Sequence, residues 1–352
     1  MAIACFLFLA AWLLSSSGYA QVIRGVNLGG WLVTEEWITP SLYRSGTHDE
    51  WSLCAALGKS RCSSLLERHW SSFITLDDFQ QMKAAGLNSV RIPIGYWAVD
   101  VLDSEPYVGG QYPYLIQAVQ WARQVGFTVL LDLHGAPGSQ NGQDNSGLTG
   151  VEEFAANTTN FDRTVNVLRN LSEEFTREEY GGVVTGIEVL NEPRLSADFS
   201  MAYLKSLYSR AASVIQGPNV TVHDAFWGPA YWSNTPYTID THQYYAFEPL
   251  ANLSRPQILE SVCNISAVLK RKDLQPTLVG EFSLETGAPP NASIGSREDS
   301  QDKRTWFRLL FESQQAAYEP NAPGQASIGW YYWTCACELL PATDVRDHRV
   351  GD

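Results

Sequence analysis

Short apolar runs rich in β-branched residues alternate along the chain with longer stretches in which apolar residues recur at helical spacing. The short runs predict the strands Ile23–Leu28, Ser89–Ile94, Thr128–Leu133, Gly186–Leu190, Val220–His223, Thr238–His242, Thr277–Gly280 and Ile328–Trp333. The longer stretches predict the helices Leu76–Ala85, Tyr114–Val125, Thr158–Phe175, Ser200–Ile215, Gln257–Lys270 and Asp302–Ser313. Strands that alternate with helices indicate a parallel sheet with helical crossovers.

Strands in this number favour a closed (β/α)₈ TIM barrel of the α/β class over a doubly wound sheet, since no G-x-G-x-x-G follows a strand. The pattern leaves the fifth helix unclear. Beyond Trp333 the chain contains Pro341 and many charges but no amphipathic stretch, so we expect the eighth helix to be missing or aberrant. We therefore divide the chain into residues 1–20, a catalytic domain at 21–333, and an aberrant or truncated tail at 334–352.

The first residues are typical of a secretory signal peptide. Ala2–Leu14 is almost entirely apolar and too short to cross a bilayer, and Gly18 and Ala20 supply the small residues that precede a cleavage site. A buried first helix is the alternative. A secreted location, extracellular or in a cell wall, also agrees with the sequons at Asn157, Asn170, Asn219, Asn252, Asn264 and Asn291.

The cysteines suggest a small disulfide framework and no metal. Cys54 and Cys62 lie eight residues apart in what looks like a polar loop, and they can pair. Cys5 leaves with the signal peptide, so Cys263, Cys335 and Cys337 remain. No cysteine spacing matches the usual pattern of metal ligands, and we predict neither a metal nor another cofactor.

Composition narrows the class of partner. The formal net charge is −14, which argues against binding to nucleic acid or to an anionic membrane. No apolar segment after the signal peptide is long enough to span a membrane. A soluble monomer that acts on a neutral substrate agrees with these values.

Polar residues follow the predicted strands at nearly every position where a barrel places its active site. The carboxyl ends of the strands surround that site. The residues found there are Glu35, Arg91, His134, Asn191, Glu192, His242, Tyr244, Glu281 and Trp333. Each of them alone has an ordinary structural explanation, but their matching positions indicate a shared pocket.

Glycoside hydrolysis needs two carboxylates, one that protonates the leaving oxygen and one that attacks the anomeric carbon. Glu192 ends strand four in V-L-N-E-P, and Glu281 ends strand seven in V-G-E-F. These strands lie on opposite sides of an eight-stranded barrel, so the two carboxylates can face each other across a sugar. Either glutamate alone could instead cap a helix.

The neighbouring polar residues suit the same chemistry. Asn191 can donate to a sugar 2-hydroxyl, and Arg91 and Tyr244 can hold the nucleophile ionised. His134 and His242 can bond sugar hydroxyls or carboxylates, although a lone histidine is more often a satisfied core residue. Trp333 can stack under the sugar or simply fill the core.

Several motifs give the sequence a specific family resemblance. The chain contains R-G-V-N-L-G-G-W-L-V-T-E-E-W-I-T-P at 24–40, R-I-P-I-G-Y-W at 91–97, D-L-H-G-A-P-G-S-Q-N-G-Q-D-N-S-G at 132–147, N-E-P at 191–193, H-D-A-F at 223–226, H-Q-Y-Y-A-F at 242–247 and G-E-F at 280–282. These motifs resemble those of the fungal exo-β-1,3-glucanases of glycoside hydrolase family 5.

The resemblance implies a retaining enzyme that releases glucose from the non-reducing end of β-1,3-glucan in cell-wall metabolism, with Glu192 as acid/base and Glu281 as nucleophile. It implies a −1 subsite lined by Glu35, Arg91, His134, Asp144, Asn145, Asn191, His242, Tyr244 and Trp333. Phe247 matches one member of an aromatic clamp at the mouth, whereas Gln143 stands at the other position.

Two other functions stay open. An endo-β-glucanase or β-1,6-glucanase would have an open cleft, which the loop at 135–147 disfavours. An inactive glucan-binding protein is suggested by the short tail and by Gln143, but both carboxylates are present.

Overall fold

The computed structural model describes residues 21–287 and 300–336. Its strands are β1 Ile23–Asn27, β2 Ser89–Gly95, β3 Thr128–Gly135, β4 Val184–Glu188, β5 Asn219–His223, β6 Thr238–Tyr245, β7 Thr277–Thr286 and β8 Ser327–Tyr332. They pair in chain order, all parallel, and β8 returns to β1 to close the barrel. The predicted (β/α)₈ barrel is confirmed.

The described α-helices lie around this barrel. They are α1 Glu50–Leu57, α2 Lys59–Trp70, α3 Leu76–Ala84, α4 Tyr112–Val125, α5 Thr158–Phe175, α6 Met201–Ala212, α7 Arg255–Leu269 and α8 Gln301–Tyr318. Helices α3 to α8 confirm all the predicted helices, within a few residues at each end. The expected loss of the closing helix and the aberrant tail concern residues beyond 336, which lie outside the described residues.

Local sequence explains where these helices begin and end. Helix α7 begins at a capping box in which Ser254 and Gln257 satisfy each other's backbone amides, and a proline occupies its first turn. Helix α4 ends at Gly126, which adopts a left-handed conformation with φ +75°. The apolar faces then pack on the sheet, and the fully buried Leu168, Leu204 and Leu310 belong to that layer.

One local prediction needs correction, and one open point is answered. Cys54 and Cys62 form a disulfide as predicted, but they lie on α1 and α2 rather than in a loop. The polar composition of α2 hid its helical character. Between β5 and β6, where every residue is described, the crossover contains only the short 3₁₀ helix Pro229–Trp232, which explains why the fifth helix was unclear.

Apolar and charged side chains occupy separate layers of the barrel interior. Leu130, Leu278 and Tyr331 form an apolar plug of buried side chains. Polar residues occupy the next positions towards the carboxyl ends of the strands, and they meet across neighbouring strands: Asp132 pairs in register with Glu188, and His242 pairs with Glu281. The fold therefore places a charged layer directly above an apolar plug.

No helix in the described ranges is long and apolar enough to cross a membrane. The free cysteines among the described residues are Cys263, which is exposed, and Cys335, which is half-buried. Cys337 and the proposed signal peptide lie outside the described residues.

Replacing both Cys54 and Cys62 with serine should lower the free energy of unfolding by roughly 2–3 kcal/mol, the loop-closure value for a short loop. The bridge spans a sequence separation of 8 and joins α1 to α2. Urea unfolding of the variant and the parent checks this. Cys263→Ser, which changes an exposed free thiol, is the control and should leave the midpoint unchanged. Equal stability of parent and double variant would contradict the prediction.

Candidate active site

A fully buried arginine occupies the centre of the charged layer. Arg91 on β2 donates through Nε to Glu188 at 2.9 Å and through Nη1 to Glu281 at 2.8 Å. Its Nη2 donates to Asn191 at 2.9 Å and lies 3.2 Å from Asp132. One guanidinium thus links side chains from β2, β3, β4 and β7. It can do so because its planar donors project in several fixed directions.

Glu281 lies on β7, which continues past it to Thr286 instead of ending there. Its Oε1 accepts from Arg91, and its Oε2 accepts from the Tyr244 hydroxyl at 2.7 Å. Burial raises the pKa of Glu281, while the positive charges of His242 and Arg91 act against that rise. The two donors therefore fix the orientation of both carboxylate oxygens.

Glu192 lies in the loop beyond β4, which ends at Glu188, four residues earlier than the carboxylate. The backbone of Glu192 has φ +42°, a costly conformation for a residue with a side chain. Its Oε1 lies 2.7 Å from Nδ1 of His242, and its Oε2 accepts from Asn145 at 3.0 Å. This strained turn places the carboxylate over the end of the barrel.

The charge state around Glu192 is set by His242. Burial alone would raise the pKa of Glu192, but the hydrogen bond and charge of His242 outweigh it and lower the pKa to about 2. Burial alone would lower the pKa of His242, but the carboxylates of Glu281 and Asp240 raise it well above its ordinary value. These opposite shifts of the two pKa values favour an ion pair, with the proton on Nδ1 of His242.

The remaining predicted residues surround these two carboxylates. Nδ1 of His134 lies 2.5 Å from Asp132, and its ring stacks on Trp333 with 5.7 Å between centroids. Glu35 accepts from Trp37 at 2.9 Å, and burial followed by the charge of Asp144 raises the pKa of Glu35 well above its ordinary value. Burial also raises the pKa of Asp144.

Phe247 lies at the edge of the site rather than inside it. Its side chain is 66% exposed, and its ring packs edge-on against Tyr244 at 5.7 Å. The loop after β5 adds the exposed Phe226 and Trp227, which the sequence analysis did not single out. The Phe226 ring contacts His223, and His223 contacts His242, so this aromatic rim is connected to the catalytic pair.

Sequence reasoning missed the buried residues beneath the carboxylates: Asn27, Asp132, Glu188, His223 and Asp240. A usable signal exists for two of them. The chain reads D-L-H on β3 and D-T-H on β6, and residues two apart on a strand share a face. Asp132 and Asp240 therefore point to the same side as His134 and His242.

Potential metal donors do converge within the described residues. Glu192, His223 and His242 form one set, and Glu188, Asp240 and His242 form another. Both depend on His242, whose proton is held between carboxylates, and Arg91 already lies 2.9 Å from Glu188. A divalent ion would have to displace that proton beside a fixed positive charge, so the donor chemistry fits a metal poorly. The absence of a metal stays a prediction.

Comparison with known proteins identifies the family to which this geometry belongs. The family described as Cellulase (glycosyl hydrolase family 5) matches residues 58–336. The chain belongs to glycosyl hydrolase family 5. It is therefore an O-glycosyl hydrolase.

Relatives and solved structures agree with this assignment. The chain is 38% identical to "Probable glucan 1,3-beta-glucosidase A" of Aspergillus fumigatus, over 95% of this chain and 87% of that protein. It is also 38% identical to "Glucan 1,3-beta-glucosidase 2" of Wickerhamomyces anomalus, over 92% and 85% of the two chains. The rutinosidase of Aspergillus niger shares the fold with a TM-score of 0.77, at 24% identity and 91% coverage of each chain.

Gly280→Ala should reduce the kcat of glycoside hydrolysis at least tenfold without unfolding the protein. A Cβ at position 280 would lie 1.9 Å from Oδ2 of Asp240, so β7 must shift and carry the adjacent Glu281 with it. Misplacement of a catalytic group by about 1 Å costs on the order of 10²-fold. Gly109→Ala is the matched control, because its nearest neighbour is 3.9 Å away. Steady-state kinetics and thermal unfolding of both variants check this, and equal kcat values would refute it.

Proposed function

We propose that the protein is a retaining exo-β-1,3-glucanase that releases glucose from the non-reducing end of β-1,3-glucan. The proposal of a retaining mechanism rests on the spacing of the Glu192 and Glu281 carboxylates. Nδ1 of His242 lies 2.7 Å from an oxygen of Glu192 and 3.5 Å from an oxygen of Glu281, so those two oxygens are at most about 6.2 Å apart. Retaining enzymes hold their carboxyl groups roughly 5–5.5 Å apart, and inverting enzymes need roughly 6.5–9.5 Å. The limit of about 6.2 Å applies to the two oxygens nearest His242, and their close approach supports the retaining arrangement.

The roles of the two carboxylates rest on the family resemblance. Glu281, bound by Arg91 and Tyr244, attacks the anomeric carbon and forms a glycosyl ester. Glu192 protonates the departing oxygen and then removes a proton from the water that cleaves the ester. Asn191 lies beside the acid/base with its Oδ1 bonded to Arg91, which leaves its Nδ2 available for the sugar 2-hydroxyl.

Exo-action is supported by the wall that the loop after β3 forms. Gln140 in this loop donates to the backbone oxygens of His134 and Asn191, at 2.8 and 3.0 Å. Ser139 bonds Ser146 across the loop at 2.7 Å. These bonds make the loop a fixed wall, and its Asn145 reaches Glu192. Such a wall favours a pocket for a chain end over an open cleft.

The β-1,3-glucan preference rests on the relatives that carry the name glucan 1,3-beta-glucosidase at 35–39% identity. The exposed aromatic rim supports it, because aromatic rings stack on the apolar faces of sugars. Gln143 does not supply the second mouth aromatic that the resemblance leads us to expect. We propose that Phe226 and Trp227 replace it.

A secreted location and a role in cell-wall glucan metabolism are part of the proposal. Disulfides persist in oxidising compartments, and the protein has one between Cys54 and Cys62. Asn157, Asn170, Asn219, Asn252 and Asn264 are exposed, as glycan acceptors must be, and Asn291 lies outside the described residues.

Glucose release from laminarin, with the first anomer followed by NMR, tests the reaction. The wild type should release β-glucose, Glu281→Ala should release none, and Glu192→Ala should lose about 10²–10⁴-fold, the usual contribution of a general acid. Glu285→Ala, an exposed carboxylate further along β7, is the control and should stay active.

Other results of the laminarin experiment would support different functions. Initial α-glucose would rule out retention, and release of oligosaccharides before glucose would favour the endo-acting alternative. Binding of laminarin by a folded wild type that releases no sugar would establish an inactive glucan-binding protein.

Phe247→Ala and Trp227→Ala should each raise KM for laminarin about 2- to 10-fold, as expected when one aromatic contact of about 0.5–1.5 kcal/mol is lost. Neither should change KM for 4-nitrophenyl β-glucoside, which does not extend along the rim. Leu102→Ala removes an exposed apolar side chain outside the rim and serves as the control. Equal effects on both substrates would contradict a role in binding the leaving chain.

A further inference from the structure

Asp240 on β6 is a buried carboxylate that contacts the surroundings of both catalytic glutamates. Its Oδ1 accepts from the backbone nitrogen of Gly280, the residue before Glu281, at 2.7 Å. Its Oδ2 lies 3.7 Å from Nε2 of His242, whose other nitrogen contacts Glu192. Neither Oδ2 nor Nε2 has a hydrogen-bond partner among the residues that the structure describes. Oδ2 also lies 3.7 Å from Nε of Arg91, so this buried oxygen interacts electrostatically with both the imidazole and the guanidinium, unscreened by water.

Glycine at position 280 lets β7 pack closely against the Asp240 carboxylate. Because any Cβ at position 280 would collide with Asp240, only glycine lets β7 approach near enough for its amide to donate. The amide fixes the orientation of the carboxylate and directs Oδ2 towards the imidazole. Asp240 is therefore held in place by the strand that carries Glu281, while its other oxygen faces Arg91 and the imidazole that contacts Glu192.

We propose that Asp240 is a positioning residue that keeps His242 as an imidazolium, and that the proton delivered to the leaving group is stored on Nδ1 of His242 and passes through Glu192. This inference rests on the proposed function, in which Glu192 is the acid/base. It assigns a task to a residue that does not touch the substrate.

The charges around His242 favour storage of a proton there. The groups that face it come from every neighbouring element and comprise Glu192, Asp240, Glu281, Glu188, Asp224, His223 and Arg91. His223, whose ring centroid is 4.4 Å away, stays neutral because burial, followed by the charge of His242, lowers its pKa to about 3. The carboxylates beside His242 therefore outnumber the positive groups.

The proton balance closes over the two steps. In the first, Glu281 bonds to the anomeric carbon as the glycosidic bond breaks, the departing oxygen takes a proton from Glu192, and Nδ1 of His242 replaces that proton. In the second, water attacks the anomeric carbon, the ester to Glu281 breaks, and the proton from water returns through Glu192 to His242. The imidazole is neutral only while the glycosyl ester exists.

The sign of the pH effect follows from these charges. The carboxylate of Asp240 raises the pKa of His242, so its removal lowers that pKa. The pair then loses its stored proton at lower pH. In Asp240→Asn, the basic limb of the kcat/KM profile should move to lower pH.

The test compares two substrates with Asp240→Asn and with the matched variant Asp132→Asn. Asp132 is an equally buried carboxylate that contacts Arg91 and His134 but not His242. Laminaribiose needs a proton on its leaving group, whereas 2,4-dinitrophenyl β-glucoside does not. Asp240→Asn should lower kcat/KM for laminaribiose about 10- to 100-fold, part of the contribution of general acid catalysis, and change that for the dinitrophenyl glucoside less than about threefold. Asp132→Asn should affect both substrates equally.

Equal losses on both substrates with Asp240→Asn, or an unmoved basic limb, would show that Asp240 is merely structural. A wild type that cleaves the dinitrophenyl glucoside but not laminaribiose would instead refute the β-1,3-glucan assignment. If Asp240→Asn does not fold, a measurement on the wild-type protein tests the proposal instead. Its ¹⁵N-histidine spectrum at pH 7, with the His242 signals assigned by their loss in His242→Asn, should show an imidazolium, and a neutral His242 would overturn the proposal.

Discussion

The buried guanidinium of Arg91 is the interaction on which the active site depends. Asp132, Glu188 and Glu281 all lie within 3.2 Å of its nitrogens, and Asn27 and Asn191 fill its remaining donor positions. Without this cation, carboxylates from separate strands would stand unpaired in the barrel interior, which costs several kcal/mol per ion. The charged layer is therefore stable only as a complete set. That requirement also holds the nucleophile in register with the rest of the barrel.

The same arrangement of an aspartate and a histidine occurs on two strands around Arg91. On β3, Asp132 contacts His134, whose ring stacks on Trp333 under the sugar position. On β6, Asp240 faces His242, which contacts Glu192. In each case an aspartate two residues earlier on the same face orients a histidine above it. The first pair borders Trp333, whereas the histidine of the second pair lies between the carboxylates of Glu192 and Glu281.

Sequence patterning predicted the barrel, and it predicted which polar residues gather at one end of it, because both follow from local rules. Strand and helix periodicity is local, and residues just past strand ends share one face of a barrel. Glu188 escaped this reasoning because its polarity is explained by a partner on another strand, Arg91. Asp240 was missed although its D-T-H spacing from His242 on β6 is a local signal. Glu188 ends β4 where Glu192 was expected to end it, and the length of a strand depends on pairing that the chain does not display locally.

Backbone strain is divided between strands and loops in a way that separates stability from catalysis. The non-glycine residues with positive φ include Ser139, Glu192, Ala225 and Phe226, which lie in the loops after β3, β4 and β5. The buried charges of Arg91 and Asp240 lie instead on regular strands. The strands hold the network of buried charges rigidly, because their backbone hydrogen bonds form cooperatively. Strained loops direct Glu192 and the aromatic rim towards the substrate, since only a loop can adopt these conformations without breaking the barrel.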